Sequence, residues 1–423
     1  MVLFTVLCWM IYGIRLAITQ ETALPGPQCQ DFASSYKLSA EQISRAQISN
    51  TTAHNVEIAL NFERSNWATS SVTVDPFYRV PSNWSSTIPA GTLLTVKNVT
   101  NTSLYTLPAA VSLSRITYQT VTLNGTSIPA SAYILWPYLP RTFRNITGHP
   151  VIGWAHGTSG VLPECAPSHI RNLWYQYSGP YIMALQGYVV VAPDYAGLGV
   201  GNASPSSGAP PILHPYLSSA SHAHDLVHAI AAAQSAFPSL SASFVTIGHS
   251  QGGGTTWALT TTTNTTPPNR NHLGAVAASP PPAGPSFLAL LAAAARSNTA
   301  LGPYLAAGLA AAFGAPQSEL FTPAGQARWG LLAALGGCSS VAAELFAPAA
   351  ASTTAGWVHA NISAHWAARA LAAASDYARR QPSTPLLVMQ GLADRFMLAE
   401  WTEASVNRTC ELFPQSAVEY VGF

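Results

Sequence analysis

Six residues, Gly248-His249-Ser250-Gln251-Gly252-Gly253, constrain this chain more than any others. An apolar run from Phe244 to Ile247 leads into them, and a helix-compatible segment follows. A serine between two glycines, at the turn from a buried strand into a helix, has the form of a nucleophile elbow. The glycines let strand and helix approach closely, and the serine is held in a strained conformation that exposes its oxygen. A serine hydroxyl is a weak nucleophile at neutral pH, so such a turn demands a histidine base within hydrogen-bond reach and an acid to orient it. The plainer reading is a glycine-rich structural turn. The strand before Ser250, and Gly253-Gly254 beyond it, argue for the nucleophile.

The acid candidate is Asp394, four residues beyond an apolar run ending at Gln390. That places a carboxylate at the carboxyl edge of a sheet, where sites in open α/β folds gather. Asp194 competes, but it precedes the serine, against the Ser, Asp, His order of such triads, and is read as loop-structuring. No histidine follows Asp394, the last being His365. The third triad member is thus not present in the sequence, and we expect the 423 residues to end before it. For the oxyanion, the backbone N–H of Gln251 is one donor, and the second comes from the loop His156-Gly157-Thr158-Ser159-Gly160, at Thr158 with Gly157 as alternative. His156 is read as a structural histidine. His222, His224, Asp225 and His228 invite a metal, since His224 and His228 stand one helical turn apart. A zinc site would need a third ligand and usually a base as in H-E-x-x-H, which is absent, so no metal is assigned.

From Gln28 to about Pro140 the chain alternates Ser, Thr and apolar residues between turn formers, and Asn124-Gly125 is a hairpin signal, so leading antiparallel strands are expected. Continuous apolar runs at 151–155 and 188–192 suit strands buried on both faces of a parallel sheet. A helix is expected over 222–236 from the stripe Leu226, Ile230, Ala233, with later strands at 275–278, 385–390 and 417–421. This alternation implies a doubly wound, mostly parallel α/β sheet. Residues 280–376 break the rhythm. They are rich in Ala, Leu and Gly, with helical stretches apolar on more than one side at 287–295 and 303–313. We read them as a helical lid insertion over the site, or alternatively as buried core helices. Pro280-Pro281-Pro282 marks the boundary. The division is then a signal peptide over 1–20, a first part of the core over 21–279, the lid over 280–376, and the rest of the core over 377–423.

Only 8% of residues are charged, against about 25% in an average soluble protein. Ten Asn-x-Ser/Thr sequons, from Asn50 to Asn407, offer another source of solubility and favour a glycosylated, secreted protein. The apolar start, Met1 to Gly13, is too short to span a bilayer and reads as a cleaved signal. Removing it takes Cys8 and leaves Cys29, Cys165, Cys338 and Cys410, an even number. The pair Cys165 with Cys338 is favoured, and Cys29 with Cys410 more weakly. A net charge of +1 gives no nucleic-acid signal.

Several blocks together resemble one family. They are Asp75-Pro-Phe-Tyr with Pro89-Ala-Gly-Thr-Leu-Leu, Gly153-Trp-Ala-His-Gly-Thr-Ser-Gly with Cys165-Ala-Pro-Ser, the stretch from Gly187 to Gly199, His214-Pro-Tyr, the Ser250 elbow, and Gln390-Gly-Leu-Ala-Asp. They look like the secretory lipases of the Candida antarctica lipase A type, from about residue 75 onward. The resemblance implies an α/β-hydrolase fold with a helical lid, acting on long-chain carboxylic esters with no cofactor. By position it makes Ser250 the nucleophile, Asp394 the acid, and the His156-Gly157-Thr158 loop with Gln251 the oxyanion hole. The expectation is a secreted, monomeric serine esterase, a triacylglycerol lipase, meeting lipid esters at a lipid–water interface. The alternative is a catalytically silent lipid-binding protein, since no histidine follows Asp394.

Overall fold

The computed structural model describes residues 36–98, 100–202, 211–262, 271–297, 299–347 and 356–423. The leader, Cys29 and the Asn264 sequon lie outside the described residues.

The chain begins its described course with two helices, α1 (Ala40–Arg45) and α2 (Asn50–Ser65). Leading strands are expected for this stretch, so the helices correct that reading. The cause is local. Ser39 and Gln42 form a reciprocal capping box, Ser39 Oγ accepting from Gln42 N–H while the Gln42 side chain accepts from Ser39 N–H. Ser49 caps α2 through Thr52 N–H, and Ala53, Val56 and Leu60 form the helix's buried stripe.

Strands β1 (Leu93–Lys97), β2 (Val111–Val121) and β3 (Ser127–Pro137) are antiparallel as expected. The β2–β3 hairpin turns at Asn124-Gly125, where Gly125 has φ 84°. Then follow β4 (His149–Ala155), α3 (Pro180–Leu185), β5 (Val189–Pro193), α4 (Ser219–Ala236), β6 (Leu240–His249), α5 (Gln251–Thr260) and β7 (His272–Ala278). Six helices come next: α6 (Pro285–Arg296), α7 (Leu301–Phe313), α8 (Gln317–Leu320), α9 (Pro323–Leu335), α10 (Ser339–Leu345) and α11 (Trp366–Ala374). The sheet resumes with β8 (Leu386–Gln390), α12 (Ala399–Leu412) and β9 (Val418–Gly422). The nine strands lie in the order β1-β2-β3-β5-β4-β6-β7-β8-β9. From β5 through β9 all neighbours are parallel, and β3 meets β5 antiparallel.

Two apolar cores result. One lies beneath the sheet, where Leu226, Ile230 and Ala233 of α4 and Trp257 of α5 pack on Ile134, Val191, Phe244 and Val388. The other belongs to α6–α11 together with α2, and joins Phe287, Leu291, Leu305, Leu332, Trp357 and Leu371 to Val56 and Leu60. Helices that pack on one another from several sides keep only a narrow polar edge, which accounts for the apolarity of α6, α7 and α11, whereas the short α8 exposes Gln317, Ser318 and Glu319.

Beyond β6 the two faces of the sheet differ. Phe244, Ala275, Ala277, Leu386 and Val388 are buried under α5 and α12. The residues between them, Val245, Ile247, Val276 and Leu387, line an open cleft of about 550 Å³ with Val418 and Glu419, built entirely from these strands and their starts. Neighbouring leucines thus face different environments. Leu386→Ala should destabilise the fold by about 2–5 kcal/mol, and Leu387→Ala by less than half of that. Urea unfolding of the two variants measures the difference, and equal losses would mean the cleft is covered.

Candidate active site

Ser250 occupies the turn between β6 and α5 with φ 55° and ψ −121°, a backbone region that non-glycine residues avoid. Its neighbours force it there. A Cβ at Gly248 would overlap the Gly252 carbonyl, and one at Gly252 would overlap the Ala155 carbonyl at the end of β4. A Cβ at Gly253 would come within 2.6 Å of Ala278 O. Ser250 N–H donates to Ala278 O at 2.9 Å, and Ser250 O accepts from Gly253 N–H at 2.8 Å. The backbone of the serine is therefore consumed by β7 and α5, while its half-buried side chain stands at the positive end of a ten-residue helix.

The loop after β4 lies beside it. His156 is fully buried, with Nδ1 2.7 Å from Gly157 O and Nε2 3.3 Å from Asp194 O, and it stacks on Tyr195 at 4.3 Å. Burial pushes its pKa down to about 4. A neutral ring whose nitrogens face two carbonyls is a structural histidine. The Thr158 hydroxyl bonds Tyr216 Oη at 2.7 Å. Ser159 O accepts from Ser339 Oγ at 2.8 Å, and Cys165 is joined to Cys338 with their Cα atoms 5.5 Å apart. Both contacts tie this loop to α10. Cys410 is exposed and unpaired among the described residues.

Gln251 begins α5 with its side chain buried, Nε2 lying 3.0 Å from His214 Nε2 and 3.5 Å from His222 Nδ1. His214 and His222 stack at 5.0 Å, and His222 stacks on Tyr195 at 4.6 Å. Burial lowers His214 to about 3 and His222 well below its usual value. Asp225 turns its carboxylate to Thr120 Oγ1 at 2.8 Å and to Ala196 N–H at 2.9 Å, and His228 faces Thr120 at 3.3 Å. Asp225 and His228 thus meet at Thr120, His222 reaches Gln251 and Tyr195, and His224 faces the backbone of Val121 and Thr122. Asp194 accepts from Ser131 Oγ at 2.6 Å and from Ser168 N–H at 2.8 Å, and burial raises it to about 6. It joins β3 to the loop after β4, in keeping with a loop-structuring role.

Asp394 stands in the loop after β8, at the same strand ends as Ser250. Its Oδ1 accepts from Phe396 N–H at 2.8 Å and Met397 N–H at 3.0 Å, which fixes the carboxylate. The charge of Asp394 is felt by His249, whose pKa burial lowers and Asp394 raises. All twelve histidines fall among the described residues, and none hydrogen-bonds Ser250 or Asp394 there. Sequence reasoning missed Tyr175, Tyr216 and His249. No motif marks Tyr175, whereas His249 and the His214-Pro-Tyr block stand in motifs already singled out.

Residues 154–419 match the model of the alpha/beta hydrolase family. No curated protein matches the chain in sequence. Among solved structures it is similar to the rice cell wall degrading esterase LipA from Xanthomonas oryzae in a ligand-bound form, at 22% identity and TM-score 0.60, covering 79% of this chain and 92% of that one. It is also similar to Candida antarctica lipase A in its closed state, at 16% identity and TM-score 0.63, covering 84% of this chain and 81% of that one.

Two outcomes test the geometry. Glycine tolerates φ 55° and alanine does not, so Ser250→Gly should be more stable than Ser250→Ala by about 1 kcal/mol in thermal unfolding. The reverse order would deny the strain. For pH, the unfolded chain binds a proton at each histidine below about 6.5, while folded His214 does so only near 3. Its folded pKa is depressed, so its contribution to stability is present above about 6.5 and is lost as pH falls. In His214→Asn the stability curve between pH 6.5 and 4 should be shallower than the parent's by up to about 1.4 kcal/mol per pH unit. Parallel curves would mean that His214 is protonated in the fold.

Proposed function

Because the chain belongs to the alpha/beta hydrolase family, we propose that it is a secreted serine-dependent carboxylic ester hydrolase, a triacylglycerol lipase that acts through an acyl-enzyme on Ser250. The observation that carries this is the strained turn at Ser250, with the start of α5 beneath it and the Thr158 loop beside it. Ser250 Oγ attacks the ester carbonyl, and the N–H groups of Gln251 and Thr158 receive the negative charge that develops on its oxygen. Asp394 is the acid that orients the base receiving the Ser250 proton, a role that none of the described histidines fills. In a triad the acid keeps the histidine in the tautomer that can take the serine proton.

The ester class is supported by the solved neighbours, one an esterase and one a lipase. The largely apolar helices α6–α11 are proposed as the lid that meets lipid at an interface, with the protein working as a monomer and engaging no nucleic acid. Secretion is supported by the Cys165–Cys338 bond and by the sequon asparagines, which are exposed at all nine described positions.

A second reading rests on one observation, that among the described residues no histidine bonds Ser250 or Asp394. It is a catalytically silent member of the fold that retains lipid. Removing a triad member costs on the order of 10⁴ to 10⁶ in turnover, so a chain in which no histidine reaches Ser250 should turn over esters slowly. Treatment with a p-nitrophenyl alkylphosphonate should give a covalent adduct on Ser250, read by peptide mass spectrometry, that is absent in Ser250→Ala. No adduct at all, with long-chain fatty acid retained by both proteins, would favour the silent reading.

A further inference from the structure

Tyr175 lies in the link between β4 and α3, and the backbone around it is strained on both sides. Leu173, Trp174 and Gln176 take φ values of 52°, 70° and 49°, although none is glycine or asparagine. Such residues persist only where the surroundings over-determine them. The ring of Tyr175 meets Trp154 edge-on at 5.3 Å. Its hydroxyl lies 2.7 Å from His249 Nδ1 and is also the partner of the Gly157 backbone. Any Cβ at Gly157 would collide with that hydroxyl. One phenol oxygen therefore sits where the elbow residue before Ser250 meets the loop that precedes Thr158.

One arrangement of protons satisfies all three groups. A neutral phenol has one proton. If its oxygen accepts from Gly157 N–H, it donates to His249 Nδ1, and His249 carries its own proton on Nε2. Gly157 N–H is then occupied, which leaves Thr158 N–H as the free donor of the loop.

We propose that Tyr175 is a positioning residue for the ester chemistry: by holding Gly157 N–H and His249 Nδ1 at once, it sets the Thr158 amide against Ser250 as the second oxyanion donor. The proposal rests on the hydrolase reading above. It gives the strain at Leu173, Trp174 and Gln176 a place in the site, and it chooses Thr158 over Gly157.

The test uses the full chain and two readouts. Nitrogen NMR of protein carrying ¹⁵N-histidine reports which ring nitrogen of His249 is bare. Nδ1 should be the bare one, and its resonance should move in Tyr175→Phe. The second readout is the rate of Ser250 labelling by a p-nitrophenyl alkylphosphonate. Tyr175→Phe should lower the saturating rate constant by about 10- to 100-fold, less than the loss of a whole oxyanion donor, with the half-saturating concentration unchanged. His249→Leu should fall equally. His249→Asn, which keeps an acceptor for the phenol, should stay within a few-fold of the parent. A proton on Nδ1, or a Tyr175→Phe effect on the half-saturating concentration alone, overturns the proposal. If the parent is not labelled, the serine-hydrolase reading falls, and the tautomer still decides the hydrogen-bond relay.

Discussion

The site depends on how closely three pieces of backbone approach one another. At Gly248 and Gly252 the start of α5 lies so near β6 and the end of β4 that the Ala155 carbonyl occupies the space of a side chain. Packing of this kind leaves Ser250 one conformation, which is unfavourable for serine in isolation. The parallel sheet supplies the rigidity, with β4 buried along nearly its whole length and β5 along all of it. A turn this strained persists because the strands on either side cannot move apart without opening the core.

Beneath the turn lies an unusually polar interior for a chain with so few charges. His156, Tyr195, His222 and His214 stack in a continuous row that ends on the Gln251 side chain. Asp194, Ser131, Ser168 and Tyr78 form a neighbouring network, and the buried Arg115 lies 3.5 Å from Asp75. Burial keeps the histidines neutral, so the row orients groups through hydrogen bonds and ring contacts and carries no fixed positive charge. Several of these atoms have no partner among the described residues, including Gln251 Oε1 and His222 Nε2. Such groups make the row sensitive to substitution, since a buried polar atom left unsatisfied costs more than a hydrogen bond gains.

Much of the sheet was legible because each strand carried its own signal: apolar runs for β4 to β9, and Asn124-Gly125 for the hairpin. Ser250 was legible because glycine spacing reports backbone closeness directly. The helices α1 and α2 were misread although Ser39 and Gln42 mark a helix start, because the Ser and Thr content of the longer stretch outweighed a four-residue cap. Tyr175 was not legible for a different reason. Its left-handed neighbours are Leu, Trp and Gln, residues that do not announce a positive φ, so only tertiary packing shows that the chain bends there.

The Cys165–Cys338 bond closes a loop with a sequence separation of 173 residues that contains all of β5, β6 and β7 and most of the helical insertion. A cross-link over that span removes about 5 kcal/mol of chain freedom from the unfolded ensemble in the entropic account. Its principal effect thus falls on a state in which no site exists. The Ser250 turn itself is held by backbone contacts to β4, β7 and α5 that do not pass through the cross-link. What oxidation changes is how many copies in a population are folded at any moment, so the compartment in which this chain matures sets its abundance before it can influence its chemistry.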